Sequence, residues 1–99
     1  MLYKHLKQME KRPGMYGCEN VEDVYKFIQG YSIALDEHNI ENLDSDAKKF
    51  SAFNDFVLAH YNLKSSHHNW SGVIRYNSSV GGESFENFFK LFNEFVHKT

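Results

Sequence analysis

The spacing of apolar residues predicts an all-α protein, a single small bundle of four longer helices and one short helix, and three observations carry that expectation. Phe85, Phe88, Phe89, Phe92, Phe95 and Val96 recur at three- and four-residue intervals within residues 82–99, the spacing of one helical face. The same period runs through residues 21–38 and 47–61. The segment that reads equally as a strand, 73–76, has no obvious second strand to pair with.

The Phe-rich helix organises the rest. Fully burying one Phe is worth about 1.5–3 kcal/mol, so a stripe of five of them requires the remaining chain to supply helices that cover it. On its other side Glu86, Lys90 and Glu94 are four apart and alternate in sign, which marks the solvated face.

The other elements follow in order. Leu2, Tyr3, Leu6 and Met9 trace an amphipathic first helix over residues 2–11, with Lys4, Lys7 and Lys11 between them. Pro13 ends it and Gly14 permits the turn that follows, so Met15 and Tyr16 are expected to point inward as a plug. Asn20 caps a second helix over residues 21–38, whose face is Val21, Val24, Tyr25, Ile28, Tyr31, Ser32 and Leu35. Gly30 lies inside it. A mid-helix Gly costs about 1 kcal/mol relative to Ala, which predicts a close helix crossing there. Asp44 or Ser45 caps a third helix over 47–61, with Phe50, Phe53, Val57 and Tyr61 as its buried stripe. Residues 63–69 read as loop. Trp70, Val73 and Ile74 suggest a short helix interrupted by Gly72, and the cluster at 77–82 is the last turn.

With 99 residues, 41% of them hydrophobic, one helical domain over 1–99 is expected, with one core. A net charge of −2 gives no overall attraction to phosphate backbones or anionic membranes. Cys18 is alone, so no internal disulfide forms. No apolar run approaches the roughly 20 residues of a membrane span, and residues 1–12 lack a signal-peptide core. These features predict a soluble cytoplasmic protein. His60, His67 and His68 are close in sequence but lack metal-ligand spacing, and nothing marks Cys18 as an activated nucleophile. No metal, cofactor or catalytic residue is expected, and the protein is not expected to be an enzyme.

Charge distribution says more than total charge. Glu19, Glu22, Asp23, Asp36, Glu37, Glu41, Asp44 and Asp46 place eight of thirteen acids within residues 19–46, opposed only by Lys26. Acids at helix starts have a structural explanation, since helix N-termini favour negative charge by about 0.3–1 kcal/mol each. Asp36 and Glu37 fail it, because they fall where the second helix ends and its dipole is negative. Asp36 also continues an outer stripe of Glu22, Lys26, Gln29 and Ile33, so an exposed apolar side chain stands beside the acids. An acidic surface with one apolar anchor suits a basic protein partner.

Arg12-Pro13-Gly14-Met15-Tyr16, then Phe27-Ile28-x-Gly30-Tyr31, Phe53-x-x-Phe56-Val57, Trp70-x-x-x-Ile74, and Glu83 followed by Phe88-Phe89-x-Leu91, resemble in that order the small helical immunity proteins of bacterial polymorphic toxin systems, including those of contact-dependent growth inhibition. The resemblance spans nearly the whole chain. Tyr16-Gly17-Cys18 departs from the Tyr-Ile-Gly expected after the first motif. The resemblance implies a cytoplasmic inhibitor that takes part in bacterial competition by binding the toxin domain of its own system, often a nuclease. The matching residues are core and turn positions and imply no contacts. A nuclease needs a basic groove for its substrate, so Ile33, Asp36, Glu37, Glu41, Asp44 and Asp46 are the expected partner-binding residues, with a monomer expected outside the complex.

Two other classes remain. Lys11 to Tyr16 resembles a segment of the ATPase domain of type II topoisomerases, and a small nucleotide- or metal-binding enzyme would use the Arg12 to Tyr16 turn with His67 and His68. The Gly-rich phosphate loops of those domains have no counterpart in Gly81-Gly82. A regulatory domain gripping nucleic acid would use Lys4, Lys7, Lys11 and Arg12, which lack the interleaved aromatic pattern of such surfaces.

Overall fold

The computed structural model describes residues 1–37 and 45–98, and among them are seven helical segments and no strand. They are α1 (Leu2–Lys11), α2 (Pro13–Tyr16), α3 (Val21–Glu37), α4 (Ser45–Phe50), α5 (Phe53–His60), α6 (Trp70–Tyr76) and α7 (Gly81–Lys98). The architecture is the all-α bundle that the periodicity predicts, with two more segments than expected. Its radius of gyration, 13.2 Å, matches the ~13 Å of a folded chain this long.

The Phe-rich helix is the centre of the bundle. Phe88, Phe89, Leu91, Phe92 and Phe95 are buried, while Glu86, Lys90 and Glu94 are exposed. Helices α3, α5 and α6 pack on α7, and α1 reaches it through Tyr3, whose ring meets Phe92 edge-on at 5.2 Å. From α5, Phe53 enters the middle of this cluster, 5.3 Å from Trp70 and from Phe95 and 5.5 Å from Phe88.

The start of α3 is tied to α7 by one buried hydroxyl. Ser84 Oγ accepts the Val21 N–H at 3.0 Å and donates to the Gly81 carbonyl. Val21 N–H is one of the first-turn donors that a helix cannot satisfy internally. Replacing Ser84 by Ala strands that donor in a fully buried site, and chemical denaturation is expected to show a loss of about 1–3 kcal/mol. Asn20 Oδ1 accepts from the Asp23 N–H at 2.9 Å, the cap that the sequence predicts.

Several local expectations are corrected. The single helix over 47–61 is two helices, because the Ser51 and Ala52 N–H groups bond to the Lys48 and Lys49 carbonyls and Ser51 Oγ also takes Lys48 O at 2.7 Å. This tight turn, in which the Ser51 hydroxyl donates to the Lys48 carbonyl, replaces the regular ladder. It leaves Phe50 and Phe53 stacked at 4.9 Å, both buried. Ser45 opens α4 as a helical residue, and Asp44, the other cap expected, lies outside the described residues. Gly72 does not interrupt α6; a Cβ there would lie 2.7 Å from His68 Cβ, so its role is to let the preceding loop approach. Residues 73–76 are accordingly helical. The connection after Pro13 is one helical turn ending at Gly17, whose φ of 66° is left-handed. Successive residues of a turn point about 100° apart, and on this single turn, which buries no residue fully, Tyr16 rather than Met15 reaches α3. Tyr16 packs edge-on against Phe27 at 5.4 Å, and Met15 is 73% exposed. On α3, Ser32 is exposed, and Gly30 has open space where a Cβ would stand rather than a helix crossing. His38 and Thr99 lie outside the described residues.

Candidate functional site

Helix α3 buries Val21, Val24, Ile28 and Leu35 and turns its other side to solvent. Ile33 lies on that outer side and is 59% exposed. Asp36 and Glu37 follow it in the last turn, both exposed, and the last turn holds no basic residue. Neither carboxylate forms an ion pair or side-chain hydrogen bond with another described residue. Their charges oppose the dipole of the helix that carries them. The apolar anchor and two of the acids expected from the sequence therefore share one end of one helix.

The remaining acids divide differently. Asp23 Oδ2 accepts the Glu19 N–H at 2.9 Å, which with the Asn20 cap closes the start of α3. Glu22 lies 3.7 Å from Arg75 of α6. Asp46 takes the Met1 ammonium at 2.7 Å and the Tyr3 N–H at 3.2 Å, so its carboxylate joins α1 to α4 and belongs to the fold. Glu41 and Asp44 lie outside the described residues.

The environment of Asp46 sets a pH dependence. Burial pushes its carboxyl pKa up, but the hydrogen bond and charge of the Met1 ammonium, the Tyr3 N–H and Lys49 outweigh burial and the net shift is downward. A carboxyl whose folded pKa is depressed contributes stability above its unfolded pKa, near 3.9, that is lost as pH falls through the folded value. The Met1 side chain is 58% exposed and the pair lies at the surface, so the ion pair itself is weak. Asp46→Asn is expected to cost about 1 kcal/mol at neutral pH. Denaturation midpoints of variant and wild type should converge as pH falls below the folded pKa of Asp46.

The alternative chemistries find little geometry. His60, His67 and His68 are all exposed, and no group of three His, Cys, Asp or Glu able to hold a metal exists among the described residues. Cys18 is buried; burial and the negative charge of Asp23 raise its thiol pKa, which opposes a nucleophilic thiolate. Lys11, Arg12, Gln8, Met15 and Tyr16 line a shallow groove between α1 and α2. The Tyr16 ring is engaged with Phe27 and its hydroxyl donates to Gln8 Oε1 at 2.9 Å, so it is not a free stacking platform. No helix of the described residues is long and apolar enough to cross a membrane.

Sequence reasoning missed a second apolar surface, in which Leu63 and Tyr76 border a groove with Ser66 and His68, and Tyr76 is 86% exposed. A helical wheel over 70–76 carries the signal, because Tyr76 projects away from the side shared by Trp70, Val73 and Ile74. Compared with known proteins, the chain matches no family model, no curated protein and no solved structure.

Proposed function

We propose that this protein is an immunity protein that binds and neutralises a cognate bacterial toxin domain, a nuclease, through the acidic end of α3. The observation that carries this reading is the exposed Ile33 with Asp36 and Glu37 beside it, two carboxylates that nothing in the described fold neutralises. The ordered motifs that resemble those of immunity proteins add to it.

A nuclease holds its substrate by neutralising phosphates with Lys and Arg. Carboxylates at a helix end attract the same groups, raise the encounter rate and occupy the groove, while Ile33 supplies an apolar contact that excludes water. Inhibition then needs no catalysis by this chain. Glu41 and Asp44, next along the sequence, extend the same acidic run.

The test is neutralisation. The protein retained by this chain from a lysate of its source cell, expressed alone, is expected to arrest growth, and co-expression of this chain to restore it. In vitro, an equimolar amount should stop cleavage of RNA or DNA. A retained protein that is harmless, or a nuclease that stays active at saturation, overturns the proposal.

A further inference from the structure

Lys26, Gly30, Ile33 and Glu37 follow one another at four-, three- and four-residue steps, the seam spacing of a two-helix contact. All four lie on the outer side of α3, and no described residue pairs with Lys26 or Glu37. Gly30 is a notch, with nothing within 4 Å of the place a Cβ would occupy. Ile33, three residues on, is a knob at 59% exposure.

We infer that this seam docks a second copy of the same chain, α3 against α3, antiparallel about a two-fold axis that crosses the helix between Tyr31 and Ser32. A two-fold interface must be its own complement, and this one is. About that axis Ile33 of each copy meets Gly30 of the other, so each knob enters a notch. Lys26 of each copy meets Glu37 of the other, so opposite charges flank the apolar centre on both sides. Antiparallel seams pair positions in this manner. A parallel or shifted register would set Lys26 against Lys26 or leave Ile33 facing a charge. The mid-helix Gly, which costs about 1 kcal/mol and meets no neighbour within the described chain, gains a reason, since the absent side chain lets two helices approach.

The contact is one helix wide and so falls well below the roughly 1,200 Å² of a stable interface. The dimer is therefore reversible, with the monomer expected from the sequence as its dissociated form at low concentration. Under the proposed function, Ile33 and Glu37 are needed by dimer and toxin alike, so the two complexes exclude each other. That consequence rests on the proposed function; the dimer does not.

Sedimentation velocity on the full chain, from about 10 µM to about 1 mM, is the test. Wild type is expected to shift from monomer to dimer with concentration. Lys26→Glu and Glu37→Lys, each placing like charges at both ends of the seam, are expected to weaken the dimer at least about tenfold. The double variant is expected to restore it to within about threefold of wild type. Circular dichroism checks that each variant stays helical. A wild type that remains monomeric throughout, or a dimer indifferent to the single reversals or not restored by the double one, overturns the inference. Lys26→Glu leaves Ile33, Asp36 and Glu37 in place, so it should still neutralise the toxin, which separates failure of the dimer from failure of the proposed function.

Discussion

Phe53→Ala is expected to cost about 3–5 kcal/mol and to lower the melting temperature by roughly 15–30 °C for a domain of this size. Phe53 is fully buried, and its ring lies against those of Phe50, Phe56, Trp70, Phe88, Phe92 and Phe95. Those rings come from α4, α5, α6 and α7, so four elements lose contacts at once and none can close the gap alone. Small domains are stable by about 5–15 kcal/mol in total, so the variant should sit near its folding midpoint at 37 °C. Phe85, half-buried at the margin of the core, is the comparison. Phe85→Ala should cost less than half as much, because part of its surface is already wet. Thermal melts of the two variants check the pair of expectations, and equal losses would place the centre of the core elsewhere.

Under the proposed function, reversing both carboxylates, with Asp36→Lys and Glu37→Lys together, is expected to weaken toxin binding about a hundredfold, chiefly by replacing attraction with repulsion against a basic groove. Stability should move the other way. Positive charge at a helix C-terminus is favourable by about 0.3–1 kcal/mol per residue, so the melting temperature should hold or rise by a few degrees. Opposite signs for binding and stability distinguish a docking surface from a structural one. Kinetics add a further check, since the wild-type association rate should fall as salt rises and the variant should lose that dependence.

Much of the fold is legible in the sequence because regular periodicity and burial carry the same information. The bounds of α1 and the Phe face of α7 follow directly from it. Periodicity is silent where structure is shorter than a period. The single turn at Pro13–Tyr16 gave no signal to decide which of Met15 and Tyr16 faces inward. A stripe of Phe50, Phe53, Val57 and Tyr61 suits one helix or two, and the Ser51 hydroxyl bond that divides them is a local competition the pattern does not record.

The candidate site shows the same division. Asp36 and Glu37 stand out in the sequence because they oppose a dipole whose direction the helix itself sets. Asp46 looked equally available, yet its partner is the Met1 ammonium, 45 residues away, which no local rule reveals. Gly30 signalled a close neighbour, and the sequence alone does not say whether that neighbour belongs to the same chain or to another.

Binding through the acidic end of α3 is tested by a side-by-side capture and titration, with wild type and the Asp36→Lys/Glu37→Lys variant as bait against a lysate of the source cell. Wild type is expected to retain one basic protein, toxic when expressed alone, at nanomolar affinity, and the reversed variant to bind it about a hundredfold more weakly. Retention of nothing by wild type, or equal affinity for both baits, would contradict binding through that end of α3.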